Sequence, residues 1–161
     1  MDLRQFIHKI PKTETHLHIE GALPWTFLKN LNPAKYPGVP FFRSPDFRYE
    51  NFTQFESILI EHALEIFKSA DDYHQVASSV FKEARRQNIC YLETSFHAGM
   101  IEFLKIPGKE ILEAIKSAAP PDLELRVFLG MSRNAYTPYL GPILENAIDY
   151  WDGCLLYTSP S

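Results

Sequence analysis

The sequence predicts an α/β fold assembled from parallel strand–helix–strand units, arranged as an open sheet or a barrel. Strand-like runs at residues 11–19, 88–96 and 122–131 alternate with helical stretches at 52–67, 69–87, 107–118 and 138–150. The strands lie too far apart for hairpins, and alternation of this kind implies parallel crossovers. A composition of 45% apolar and 22% charged residues over 161 positions supplies one ordinary globular core.

The first run, PKTETHLHI, opens on Pro11 and alternates Lys12, Glu14, His16 and His18 against Thr13, Thr15, Leu17 and Ile19. With a period of two, each set occupies one face. Gly21 ends the strand, and Pro24 opens a short helical turn that stops before Asn32-Pro33. Residues 32–50 hold many prolines but also many aromatics, so an ordered loop is expected rather than a linker. In the next stretch Phe52, Phe55, Leu59, His62, Ala63 and Ile66 recur at helical spacing. Ser69 followed by Asp72 marks an N-cap for the helix running to about residue 87. NICYLETSF and DLELRVFLGM read as the second and third strands, each followed by a helix.

Composition excludes several function classes. The net charge of −4 shows no basic stripe, which argues against phosphate neutralisation and hence a nucleic-acid partner. No apolar run approaches the roughly 20 residues that span a bilayer, so no membrane partner is expected. MDLRQFIHKI lacks the apolar centre of a signal peptide, and Cys90 and Cys154 cannot build a disulfide scaffold. Both point to a reducing cytoplasm.

The row Lys12, Glu14, His16, His18 is chemically unusual for a strand expected to be covered on both faces. Each ionisable group there carries a desolvation cost unless it is paired or bound to metal. His16 and His18 lie roughly 6.5–7 Å apart along the strand and can converge on one cation at its end. A chance H-x-H pair in a chain with six histidines is the competing reading.

PKTETHLHIEGAL (11–23) resembles the first-strand signature of the adenosine deaminase family, P-K-x-E-L-H-x-H-L-[DE]-G. FTQFESIL (52–59), YLETSF (91–96) and GMSR (130–133) follow in that family's order and spacing. The resemblance implies the N-terminal part, about three βα units, of a (β/α)8 TIM barrel of the metal-dependent hydrolase type. It implies hydrolytic deamination of a purine, adenosine by default, with one Zn2+ and water. His16 and His18 match two zinc ligands; His18, Glu20, Gly21, Phe55 and Leu59 match substrate-binding positions. Glu20 stands where nucleoside deaminases often have Asp, which brings free adenine forward as the alternative substrate. Another H-x-H barrel metallohydrolase and a non-catalytic half-barrel interaction module are the remaining alternatives.

Two look-alike motifs are set aside. His18-Ile19-Glu20 lacks the downstream P-C-x-x-C of the cytidine-deaminase type. His97-Ala98-Gly99 ends in Met100, which cannot transfer a proton, so it is not the family's H-A-G-E and His97 is not taken as a zinc ligand. Glu93 and Arg133 are expected in structural pairs, and Ser95 replaces a common Arg. The general acid/base Glu and the later catalytic His do not occur in these 161 residues, so this chain by itself is expected to be inactive. Residues 1–152 are expected to be the barrel fragment, and 153–161 (GCLLYTSPS) a non-native tail.

Overall fold

A computed structural model describes residues 2–132, 138, 140–145 and 151–157. Helix α1 (Leu3–Lys9) leads into strand β1 (Lys12–His18), a short 3-10 turn (Ile19–Gly21) and α2 (Trp25–Leu31). After a second 3-10 turn (Phe41–Arg43) come α3 (Phe52–Ile66), α4 (Ala70–Arg86), β2 (Ile89–His97), α5 (Gly99–Leu104) and α6 (Gly108–Ser117). Strand β3 (Glu124–Ser132), α7 (Leu140–Glu145) and β4 (Gly153–Tyr157) complete the described elements. All strand pairs are parallel and the sheet order is β1-β2-β3-β4. Strands that neighbour one another in chain order form a singly wound sheet, the arrangement of a barrel wall rather than of a doubly wound sheet.

The three strands read from the sequence appear within two residues of their expected ends. The structure adds β4, which pairs Phe128 with Gly153 through Ser132 with Tyr157. Part of the segment read as a tail is therefore a fourth strand. Of the helix expected at 138–150, α7 is described; Arg133 and residues 146–150 lie outside the described residues. Helices α1 and α5 add to the sequence reading.

Local chemistry accounts for the helix starts. Asn51 Oδ1 accepts the Gln54 N–H at 2.9 Å to cap α3. Ser69 Oγ accepts the Asp72 N–H at 3.2 Å, while Asp72 Oδ2 accepts the Lys68 N–H at 3.0 Å, a reciprocal cap on α4. Asp71 and Asp72 in the first turn of α4 and Arg85 and Arg86 in its last complement the helix dipole. Asn88 then takes a left-handed conformation (φ 61°) and turns the chain into β2, with its amide donating to Lys9 O at 2.6 Å.

The core lies between the sheet and the α4–α6 layer. Tyr73, Phe81, Phe96, Ile111, Ile115 and Leu129 are fully buried there. Phe67 stacks on Tyr73 at 4.3 Å between ring centroids, and Tyr73 meets Phe96 edge-on at 5.1 Å.

The polar row of β1 is less enclosed than a covered strand predicts, because β1 is an edge strand among those described. Its burial is mixed, and His16 is exposed. Lys12 Nζ donates to the carbonyls of Ile10 (3.0 Å), His8 (3.3 Å) and Gln87 (2.7 Å), tying β1 to the ends of α1 and α4. Between Glu14 and Leu17 the register against β2 shifts, with three steps on β1 opposing two on β2. There the His16 N–H turns to Glu14 Oε1 at 3.0 Å. Bulges of this kind re-aim side chains next to functional sites, and this one falls at His16.

Candidate metal and purine-binding site

At the C-terminal end of β1 a cavity of about 670 Å³ opens between the strand, its 3-10 turn and α3. His16, His18, Glu20 and Gly21 form one wall, and Phe55 and Leu59 belong to the wall opposite. All six residues singled out in the sequence thus border one space.

The His16 and His18 rings face each other with Nε2 atoms 3.2 Å apart. Two nitrogens bound to one tetrahedral Zn2+ at ~2.0–2.1 Å lie ~3.3 Å apart, so the pair fits two corners of such a site. Ser95 Oγ lies 3.2 Å from His18 Nδ1, which fixes the ring and leaves Nε2 for the cation. Ser95, which replaces the Arg common at its place in the resembled family, therefore supports the site from β2. Burial, then His16 and His97, holds the His18 imidazole below its usual range, favouring the neutral form that ligates metal. Among the described residues no group of three His, Cys, Asp or Glu converges to complete a metal shell.

Glu20 is buried, its Oε1 accepting the His97 N–H at 3.0 Å and the Tyr73 hydroxyl at 3.3 Å. Burial pushes its carboxyl up to about 7 against the pull of the His97 backbone, its own backbone and Tyr73. The same burial, with the neighbouring Glu20 carboxylate, pushes the Tyr73 phenol well above its usual range. Glu20 thus joins the end of β1 to α4 and the end of β2 while also bordering the cavity. Gly21 has no left-handed φ, so the turn does not demand a glycine's freedom. A Cβ there would lie 3.5 Å from Leu59 Cδ1, an ordinary contact.

His97, set aside as a ligand from its motif, borders the same cavity, and its Nδ1 accepts the Gly99 N–H at 3.1 Å. Glu93 accepts from the Tyr91 hydroxyl at 2.6 Å, the structural pairing expected of it. Sequence reasoning missed three residues: Tyr73, the partner of Glu20, and Arg43 and His62 on the cavity wall. His62 showed only as a polar member of the apolar stripe on α3. Arg43 donates to Leu23 O, a contact that only the folded loop creates.

No model of a known protein family matches the chain. The adenine deaminase of Wolinella succinogenes is 29% identical over 123 residues, covering 72% of this chain and 36% of that protein. Among solved structures, the Arabidopsis N6-mAMP deaminase superposes with a TM-score of 0.72 at 17% identity, over 97% of this chain and 52% of that one. An amidohydrolase of B. ambifaria with bound Zn gives a TM-score of 0.69 at 16% identity, over 98% of this chain and 47% of that one. At such identities the structural matches show the fold alone. The chain spans about a third of the length of the curated relatives it matches and about half that of its structural neighbours.

Proposed function

We propose that this chain, similar to the adenosine/adenine deaminase family over part of the length of its members and folded as the N-terminal part of an amidohydrolase-type barrel, supplies the first metal ligands and one wall of the purine site in a metal-dependent purine deaminase. The observation that carries this reading is the 3.2 Å convergence of His16 and His18 at the mouth of a largely apolar cavity. His16 and His18 would hold the cation, which when bound supplies Lewis acidity that lowers the pKa of water toward ~7. Phe55 and Leu59 offer apolar faces to a flat base and exclude water from it. Ser95 and Glu20 position the strand ends that carry the imidazoles. Adenosine is the proposed substrate and adenine its alternative, with a cytoplasmic location following from the composition.

The test is absorbance of adenosine and of adenine. With zinc, the 161-residue chain should leave both unchanged, because the general acid/base Glu and the later catalytic His that the resemblance implies do not occur in these 161 residues. A longer polypeptide that continues the frame and brings in the missing His, Glu and Asp residues should convert one of them with release of ammonia. If that zinc-loaded polypeptide converts neither, the reading is wrong in substrate or reaction.

A further inference from the structure

The cavity has a second polar end, away from the His16–His18 pair, and its chemistry follows from one buried phenol. Tyr36 is 4% exposed, and its hydroxyl donates to Glu65 Oε2 at 3.2 Å while lying 2.7 Å from His62 Nδ1. Lys35 pairs with the same Glu65 oxygen, which keeps that carboxylate an acceptor. A phenol has one proton. With it given to Glu65, the Tyr36 oxygen accepts from His62, so the proton of a neutral His62 ring sits on Nδ1 and Nε2 carries a lone pair.

His62 borders the cavity with Arg43, and its ring lies 4.9 Å from that of Phe42. The charges acting on it are those of Lys35, Glu61, Glu65 and Arg43, whereas His18 feels His16 and His97. Leu59 stands between the two ends. It comes one helical turn before His62 and lies close to Gly21, beside the imidazole pair.

We infer that His62 is a specificity-determining residue of this cavity, its Nε2 accepting a hydrogen bond from a sugar hydroxyl of a purine nucleoside. The inference rests on the purine reading above. A bare base can be held at the imidazole pair and the apolar wall, whereas a ribose carries hydroxyl donors to the second end. A cavity of about 670 Å³ lies well inside the range that accommodates more than a base.

Calorimetric titration of the zinc-treated chain with adenosine and with adenine tests this. His62→Ala should weaken adenosine binding about five- to tenfold, the effect of one neutral hydrogen bond, and leave adenine within about twofold. His62→Gln, whose side-chain oxygen restores an acceptor, should recover most of the loss. Ring 15N spectra of the unliganded chain should show His62 protonated at Nδ1, and Tyr36→Phe should mix the tautomers. Equal weakening of both ligands, no weakening of adenosine, or a proton on Nε2 overturns the inference and leaves the purine reading standing. Spectra of a folded chain in which neither purine binds would overturn both.

Discussion

Helices α3 and α4 are neighbours of 15 and 17 residues, and they use their apolar residues in opposite ways. The α3 sequence, FTQFESILIEHALEI, is the more apolar, yet it buries only Ala63 and Ile66. Phe52, Phe55 and Ile60 stay 55%, 38% and 48% exposed. The α4 sequence, ADDYHQVASSVFKEARR, carries more charge and buries Tyr73, Val76, Ala77, Val80, Phe81 and Ala84. Burial here is set by what stands opposite, not by how apolar the helix is. Opposite α4 are β2 and α6; opposite α3 is the cavity. A helix that keeps aromatic rings half exposed beside an imidazole pair is a wall for a ligand.

The largest test of this contrast is a pair of truncations. Phe81→Ala on α4 should cost about 3–5 kcal/mol in urea unfolding, the loss of a fully buried ring plus its cavity. Phe55→Ala on α3 should cost less than about 1 kcal/mol, since the ring is already half in solvent, yet weaken purine binding measurably. Equal stability losses would make α3 a core helix and remove the argument for a binding wall.

Metal binding sharpens the same contrast from the β1 side. With Zn2+ at a hundred times its dissociation constant, the folded chain should gain ~2.7 kcal/mol, seen as a rise in Tm that a chelator reverses. His16→Ala or His18→Ala should abolish the rise. His74→Ala on α4 should not, because that ring is hydrogen-bonded to Ser117 at 3.0 Å, in the α4–α6 layer. A rise that survives both β1 substitutions would place the metal elsewhere.

How much of this was legible in the sequence follows the same physics. Strands β1 to β3 and helix α4 were, because alternation, an apolar stripe and the Ser69–Asp72 cap all agree there, whereas β4 was not. Helix α1 was not: it buries none of its residues, so its apolar spacing had no core to signal. His16 and His18 were visible because two imidazoles two residues apart on a strand must share a face. His62 was not, since on α3 it reads as one polar break in an apolar stripe. Its meaning depends on Tyr36 and Glu65, which lie 29 residues apart and meet only in the fold. The partners of Glu20, Tyr73 and the His97 backbone, are distant in sequence for the same reason.

The two caps separate the helices at a smaller scale. Ser69→Ala should lower global stability by about 1 kcal/mol, because α4 unfolds with the core. Asn51→Ala removes an equivalent bond from α3, but the expected loss is local: faster amide exchange over the first turn of α3, with little change in the global midpoint. A global loss as large as that of Ser69→Ala would show that α3 is coupled to the core after all.

The smallest effect expected is a dependence on pH from Asp152, on the α6 side of the sheet. Its Oδ2 accepts the Val127 N–H at 2.9 Å and pairs with Lys116 Nζ at 2.9 Å. Burial pushes this carboxyl up, but the Val127 N–H, Lys116 and Arg126 outweigh it and hold the group below the usual carboxylate range. A depressed folded-state value means the stabilisation is complete above the unfolded value of about 3.9 and is lost as pH falls through the folded one. Asp152→Asn should therefore be less stable than the parent at about pH 7, and the gap should close on acidification below about pH 4. A gap that persists in acid would show that Asp152 acts by shape rather than by charge. Glu65 on α3 is also depressed, first by its hydrogen bond from Lys35. That pair is about as exposed to solvent as Lys116 with Asp152, so salt should weaken both ion pairs while sparing the hydrogen bond of Asp152 to the backbone.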